Sequence, residues 1–313
     1  MSTSGTITFS QTRDSLILDA LVDAGAIGVG VVPDSNVTEF AQRTLNLMLK
    51  SWAVDGLHLW KVKDFTLFLE KADNTYLLGP SGDNWTIGTV VSTQIKTAAA
   101  LSATSIDIDS TTGITAGDYI GIEVDDGTMH WTTVSSVTDS DTLVISTGID
   151  AAAAIDNRVY SYTTKAGRPT ALHDLRVKDE DNNERNVNLI SRNEYGNFSV
   201  KTDTGDPSNF YFQPTLTAST LKCYVSPSRC TDRLVGSAEF HIEDLSAANN
   251  DFDCPQEWLL PIRLNLGVLL MPAAAAGSTE FKILKSLAQE YKDMVLGWDR
   301  EQVSSFLSPN TQR

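Results

Sequence analysis

YIGIEVDDGTMHWTTVSSV, residues 119–137, is the stretch on which the fold turns. Ile120, Ile122 and Val124 alternate onto one face of an extended segment. Asp126-Gly127 then marks a hairpin, because glycine accepts positive φ, and Thr128 to Val137 returns as the partner strand. Further strands read at Leu101–Asp109, Thr142–Ser146 and Arg158–Thr163. Five or six short strands at this spacing predict a small β-sandwich or barrel.

The same region stands apart by charge. The 313-residue chain carries 24 Lys plus Arg against 40 Asp plus Glu, a net −16. From Thr97 to Asn157 there is no base and there are ten acids: Asp107, Asp109, Asp118, Glu123, Asp125, Asp126, Asp139, Asp141, Asp150 and Asp156. That stretch therefore holds −10 of the −16. Proline is also missing between Pro80 and Pro169. A break this abrupt marks a separate acidic β module inserted at 91–165.

Outward from the module the period changes from two to 3.6. Gln11 to Ala24 places Leu16, Ile17, Ala20, Leu21 and Ala24 at helical spacing, with Gly25 as the stop. After the Pro33 turn, Ser35 or Asn36 is the expected cap of a second helix with Phe40, Leu45, Met48, Leu49 and Trp52 inward. Asp253 is the expected cap of a third helix, with Trp258, Leu259, Ile262, Leu266 and Leu269 inward and a kink at Pro261. Ser278 opens a fourth, with Phe281, Leu284, Ala288, Tyr291, Val295 and Trp298 inward. Helix pairs at the two ends can bury their stripes against one another.

Strands fill the rest. Leu57–Leu69 and Asn74–Leu78 read as a hairpin, and Leu172–Lys178, Val187–Ser191, Asn209–Gln213, Lys222–Ser226 and Ala238–Ile242 follow the insertion. The alanine runs at 98–100, 151–154 and 273–276 fit linkers or loops at module edges. The expected fold class is α+β: a helical bundle formed by the N- and C-terminal helix pairs, and a central antiparallel β region with an inserted small β-sandwich or barrel. The divisions are 1–56 and 251–300 for the helical parts, 57–90 and 166–250 for the β region, 91–165 for the insertion and 301–313 for a tail.

Chemistry is sparse. Cys223, Cys230 and Cys254 are odd in number and lack C-x-x-C spacing, which argues against disulfides and zinc and for a reducing compartment. Asp179, Asp181 and Asn183 open like a calcium loop, but Glu184 replaces its glycine and Ile190 its closing carboxylate. Glu123, Asp125 and Asp126 are a weaker cation candidate than a plain turn. Gly79-Pro80-Ser81-Gly82 is half a nucleophile elbow, and Gly25, Gly28 and Gly30 follow a helix where a dinucleotide loop follows a strand. His58, His130, His173 and His241 sit apart from one another. No catalytic residue, metal site or cofactor is therefore expected. No run approaches the ~18 apolar residues of a membrane span, and a surface this acidic repels nucleic acid. Trp85 or Trp131 on a β face could stack on a sugar.

One resemblance gathers the ends of the chain. Gly25-Ala26-Ile27-Gly28, Leu45-Asn46-Leu47-Met48-Leu49-Lys50-Ser51-Trp52 and Asp55-Gly56-Leu57-His58-Leu59-Trp60 follow one another here. The order resembles the head-to-tail adaptors of short-tailed phages, the packaged-DNA stabilisation or tail accessory factor family. Its members open with a helix pair carrying LN-x-M-L-x-x-W and then Gly-Leu. Cys254-Pro255-Gln256-Glu257-Trp258, and Asp299-Arg300-Glu301 before Ser304 and Phe306, are similar to that family's last helix pair and tail. The resemblance covers about the first quarter and last fifth of the chain, and the insertion departs from a minimal adaptor.

The resemblance implies a virion structural protein at the head–tail junction, assembled in host cytoplasm. Its partners would be the portal protein, the tail nozzle and further copies of itself in a dodecameric ring. Packaged DNA would pass through without tight binding. By position, the portal-contacting segment falls on the tail, with Val303, Phe306, Leu307, Pro309 and Arg313 as candidate contacts. Two other readings are a viral or surface structural protein with a glycan-binding β module, and a hydrolase of cell-wall polymer.

Overall fold

The computed structural model describes residues 9–52, 59–274 and 278–298. In chain order the elements are α1 (Arg13–Asp23), α2 (Ser35–Trp52), β1 (Val62–Phe68), β2 (Thr75–Leu78), β3 (Trp85–Thr86) and β4 (Val91–Gln94). Next come β5 (Ser105–Asp107), β6 (Tyr119–Glu123), β7 (Met129–Val137), β8 (Thr142–Ile145) and β9 (Arg158–Tyr162). Then follow β10 (Pro169–Lys178), β11 (Glu184–Asn186), β12 (Asn188–Leu189), α3 (Arg192–Asn197), β13 (Thr204–Gly205) and β14 (Asn209–Gln213). The chain closes with β15 (Ser219–Tyr224), β16 (Ser226–Pro227), β17 (Arg233–Phe240), α4 (Leu259–Ala274) and α5 (Ser278–Trp298). The class is α+β, with most elements in sheets. The chain divides into two units, Met1–Val62 with His241–Arg313, and Lys63–Phe240.

In the first unit, α1, α2, α4 and α5 share one apolar core that includes Leu16, Leu21, Leu45, Met48, Trp258, Ile262, Leu266 and Val295. Helix α4 is buried at Ile262, Leu264, Leu266, Leu270 and Met271, around most of its circumference, as a helix between neighbours must be. A Cβ on Gly267 would stand 3.3 Å from the Ala20 carbonyl and 3.4 Å from Leu284, so α1 and α5 both press on α4. Arg263 adds a two-pronged bond to Asp23 at 2.6 and 2.7 Å.

Several local expectations for this unit change. Asp34, not Ser35 or Asn36, caps α2: its Oδ1 accepts the Asn36 N–H at 2.8 Å. Asp253 does not cap the third helix, because its carboxylate pairs with Lys61; a 3₁₀ turn, Gln256–Trp258, precedes α4 instead. Pro261 falls in the first turn of α4, where a missing N–H costs nothing. Phe40, Leu269 and Trp298 face outward.

In the second unit two sheets face each other across a core of Phe65, Leu67, Tyr76, Trp85, Leu172, Phe210, Leu221 and Leu234. One sheet runs β11-β10-β17-β1-β3 and the other β12-β14-β15-β2. The expected hairpin of residues 57–69 with 74–78 is absent: β1 and β2 belong to opposite sheets. The region is also not wholly antiparallel, for β12 pairs β14 and β13 pairs β16 in parallel.

The insertion forms its own six-stranded sheet, β4-β9-β6-β7-β8-β5. Strands β6 and β7 pair from Glu123↔Met129 to Tyr119↔Thr133 around the Asp126-Gly127 turn. The sheet's edges meet through the Ile95↔Ile108 bridge, with Lys96 N–H on Asp107 O at 2.9 Å and Asp109 N–H on Gln94 O at 3.0 Å. It thus curls into a small barrel around Ile106, Ile120, Ile122, Leu143 and Val159. The alanine runs at 98–100 and 151–154 are loop segments, joined by an isolated bridge between the buried Ala99 and Ala153.

Candidate functional site

The candidate portal contacts Val303, Phe306, Leu307, Pro309 and Arg313 lie outside the described residues. Asp55 to His58, Asp299-Arg300-Glu301 and Ser304 also lie outside them, and of the described segments carrying the resemblance, Leu45–Trp52, Trp60 and Cys254–Trp258 come together. Leu45, Met48, Leu49 and Trp52 point from α2 into the helical core, while Asn46 Oδ1 accepts the Leu245 N–H at 3.2 Å. Trp258, before α4, meets Trp52 at 5.8 Å between ring centroids and Trp60 at 5.0 Å. The Trp60 indole N–H donates to the Asp253 carbonyl at 3.1 Å. The patterns from the two ends of the chain therefore share one aromatic cluster.

Five of the insertion's ten carboxylates accept backbone N–H groups of the module itself. Asp118 Oδ2 accepts the Thr115 N–H, Asp125 Oδ1 the Ala154 N–H, and Asp126 Oδ1 both the N–H and hydroxyl of Thr128. Asp139 Oδ1 takes the N–H groups of Asp141 and Thr142, and Glu123 Oε2 takes that of Arg158. Asp179 likewise receives Asn183 and closes the β10–β11 turn in place of a calcium loop. No group of three or more His, Cys, Asp or Glu fit to hold a metal occurs among the described residues.

The barrel docks on the sandwich through an aromatic seam. Phe68, at the end of β1, lies 4.8 Å from Trp131, 5.4 Å from Tyr160 and 5.6 Å from Tyr162. Tyr160 donates its hydroxyl to the Thr231 carbonyl at 3.0 Å, and Tyr162 to Asn84 at 2.8 Å. At the rim Glu70 Oε1 accepts the Trp131 indole N–H at 2.7 Å. Burial, against the lowering effect of that hydrogen bond, pushes the Glu70 carboxyl up to about 7, with Asp73 and Asp83 adding repulsion.

This carboxyl has a raised folded pKa, so its contribution to stability is full below about 4.5 and is lost as the pH rises through about 7. Glu70→Gln keeps the acceptor for Trp131 and removes the charge. The variant is expected to melt like wild type near about pH 5 and to be more stable by about 1–3 kcal/mol near about pH 8. Thermal unfolding at the two pH values checks this. An equal difference at both would show that Glu70 is not the titrating group.

The nucleophile candidates are quiet. Burial pushes the thiols of Cys223, Cys230 and Cys254 each up to about 12. His130 Nδ1 lies 3.1 Å from Asp150, and His173 Nε2 4.0 Å from Glu239; His58 lies outside the described residues. Neither tryptophan offers a sugar platform. Trp85 is fully buried in the sandwich, and the Trp131 ring lies over Gly121, where a Cβ would meet it at 2.8 Å. Sequence reasoning did not find Glu70, because its partner Trp131 is 61 positions away.

No family model matches the chain, and no curated protein matches its sequence. Among solved structures it aligns with VP17, a capsid protein of bacteriophage P23-77. The identity is 10% and the TM-score 0.18, over 57% of this chain and 80% of that one. A likeness that distant carries no argument about fold or function. No described helix is long and apolar enough to cross a membrane.

Proposed function

We propose that the chain is a virion structural protein, the head-to-tail adaptor or connector that forms a ring beneath the portal. In this role it extends the DNA channel, retains the packaged genome and seats the tail nozzle. The observation that carries the reading is the Trp52–Trp60–Trp258 cluster, where the adaptor-like patterns of both chain ends pack on one another. A structural role is supported by Asp118, Asp125, Asp126, Asp139 and Asp179 each accepting hydrogen bonds in turns and by the burial that raises the three thiols. A net charge of −16 lets a polyanion slide past without being gripped. The acidic barrel would face tail components or the vertex.

The test is to mix the purified chain with the portal of the same virus and image the complex. Ring density stacked under the portal is the expected result, and bare portals beside folded chain would remove the reading. Removing residues 303–313 is expected to abolish attachment while leaving the melting curve unchanged. Full attachment of the truncated chain would exclude Val303, Phe306, Leu307, Pro309 and Arg313 as portal contacts.

A further inference from the structure

The barrel is tied to the sandwich by the linkers 87–90 and 163–168 and by the seam in which Phe68 meets Trp131, Tyr160 and Tyr162. The linkers border an open hollow of about 360 Å³ lined by Gly88, Thr89, Val91, Gly113, Thr163 and Thr164. A Cβ on Gly167 would meet nothing within 4 Å. The neck therefore has room to bend. The seam has its own apolar cluster, Phe68, Met129, Tyr160, Tyr162 and Cys230, separate from the cores of sandwich and barrel.

Glu70 stands two residues beyond β1 and reaches across this seam to the Trp131 indole N–H, an uncharged donor, at 2.7 Å. Asp73 and Asp83 lie close enough to repel its carboxylate. Tyr76 bonds the Glu70 backbone through its hydroxyl, and the Cys230 thiol feels both Glu70 and Glu123 of the barrel. The neighbouring bases point elsewhere. Lys71 donates to the Asp126 carbonyl at 3.1 Å, while Arg233 lies over the Tyr160 ring at 4.7 Å and bonds Asn182 at 3.2 Å. A carboxylate formed at Glu70 would thus sit in a closed seam among like charges, and opening the seam would return it to water.

We propose that ionisation of Glu70 releases the barrel from the sandwich, so that the module is seated while this carboxyl is protonated and swings on its linkers once the carboxylate forms. The direction follows from the burial. The seated carboxyl titrates near about 7, and one returned to water near the ordinary 4.5. Seating is therefore firmest below about 4.5 and weakens as the pH rises toward about 7. With the barrel supplying the burial, the ratio of seated to released molecules falls by up to about seventyfold between about pH 5 and about pH 8. The two cores stay folded, because neither includes the seam residues.

Cysteine alkylation of the full chain, read residue by residue after digestion, tests this. Cys230 is buried in the seam and Cys223 in the sandwich core. Each rate is divided by that of the chain in denaturant at the same pH, which removes the thiol's own titration. Normalised labelling of Cys230 is expected to rise at least about tenfold from about pH 5 to about pH 8, while Cys223 stays slow at both. Glu70→Gln should flatten the rise, with circular dichroism to verify its fold. The two wild-type cysteines keep the test decisive even where that variant does not fold. A Cys230 rate independent of pH, a rise that persists in folded Glu70→Gln, or Cys223 labelling in step with Cys230 would each overturn the switch, the last because it reports unfolding of the sandwich and not release of the barrel.

Discussion

Trp258→Ala is expected to cost about 3–5 kcal/mol and to unfold the helical unit well before the β unit. The indole is 1% exposed and stands between Trp52 and Trp60, so its removal strips ring contacts from both. The space around it cannot close easily. A crevice lined by Leu49, Trp52, Trp60, Cys254, Trp258 and Ile262 holds about 10 Å³, which is barely a water. The cavity left behind would also lie where the segment before α4 meets α2, and α4 is the helix on which α1, α2 and α5 all pack. Trp258→Phe keeps an aromatic face toward Trp52 and should recover part of the loss. Denaturant unfolding followed at the helical circular-dichroism signal measures it. A loss below about 1 kcal/mol would mean that the aromatic cluster is not what joins the chain ends.

Phe68→Ala is expected to cost a comparable amount, about 3–5 kcal/mol, but to appear as undocking of the barrel. Phe68 belongs to the sandwich strand β1, yet its ring packs on Trp131, Tyr160 and Tyr162 of the insertion. The barrel core of Ile95, Ile106, Ile120, Ile122, Leu143 and Val159 does not include it. The insertion should therefore keep its own strands while its seat is weakened, with Tyr160 on Thr231, Tyr162 on Asn84, Trp131 on Glu70 and Lys71 on the Asp126 carbonyl among the contacts that remain. Limited proteolysis reads this directly. Cleavage near residues 88–90 and 163–167 should accelerate while the released barrel stays resistant. Cleavage at the wild-type rate would show that the remaining hydrogen bonds suffice to hold it.

Glu70 belongs to the same seam. Together these variants separate its apolar component from its titrating one, since Phe68→Ala acts at every pH and Glu70→Gln chiefly above neutrality.

The sequence by itself determined what depends on neighbours a few residues away. The turn at Asp126-Gly127, the strands on either side of it and the stripe Leu45, Met48, Leu49 and Trp52 were legible because backbone period and turn chemistry are local. The acidic insertion was legible because composition changes abruptly at its edges. Only the tertiary structure decided what depends on distant partners. It sent β1 and β2 to opposite sheets, closed the barrel through Ile95 and Ile108, and set Glu70 against Trp131. It also turned Phe40, Leu269 and Trp298 to solvent. Helical periodicity reports that a face is apolar, but burial is a property of the space between elements. A residue facing its own core and one facing solvent read alike until that space is seen.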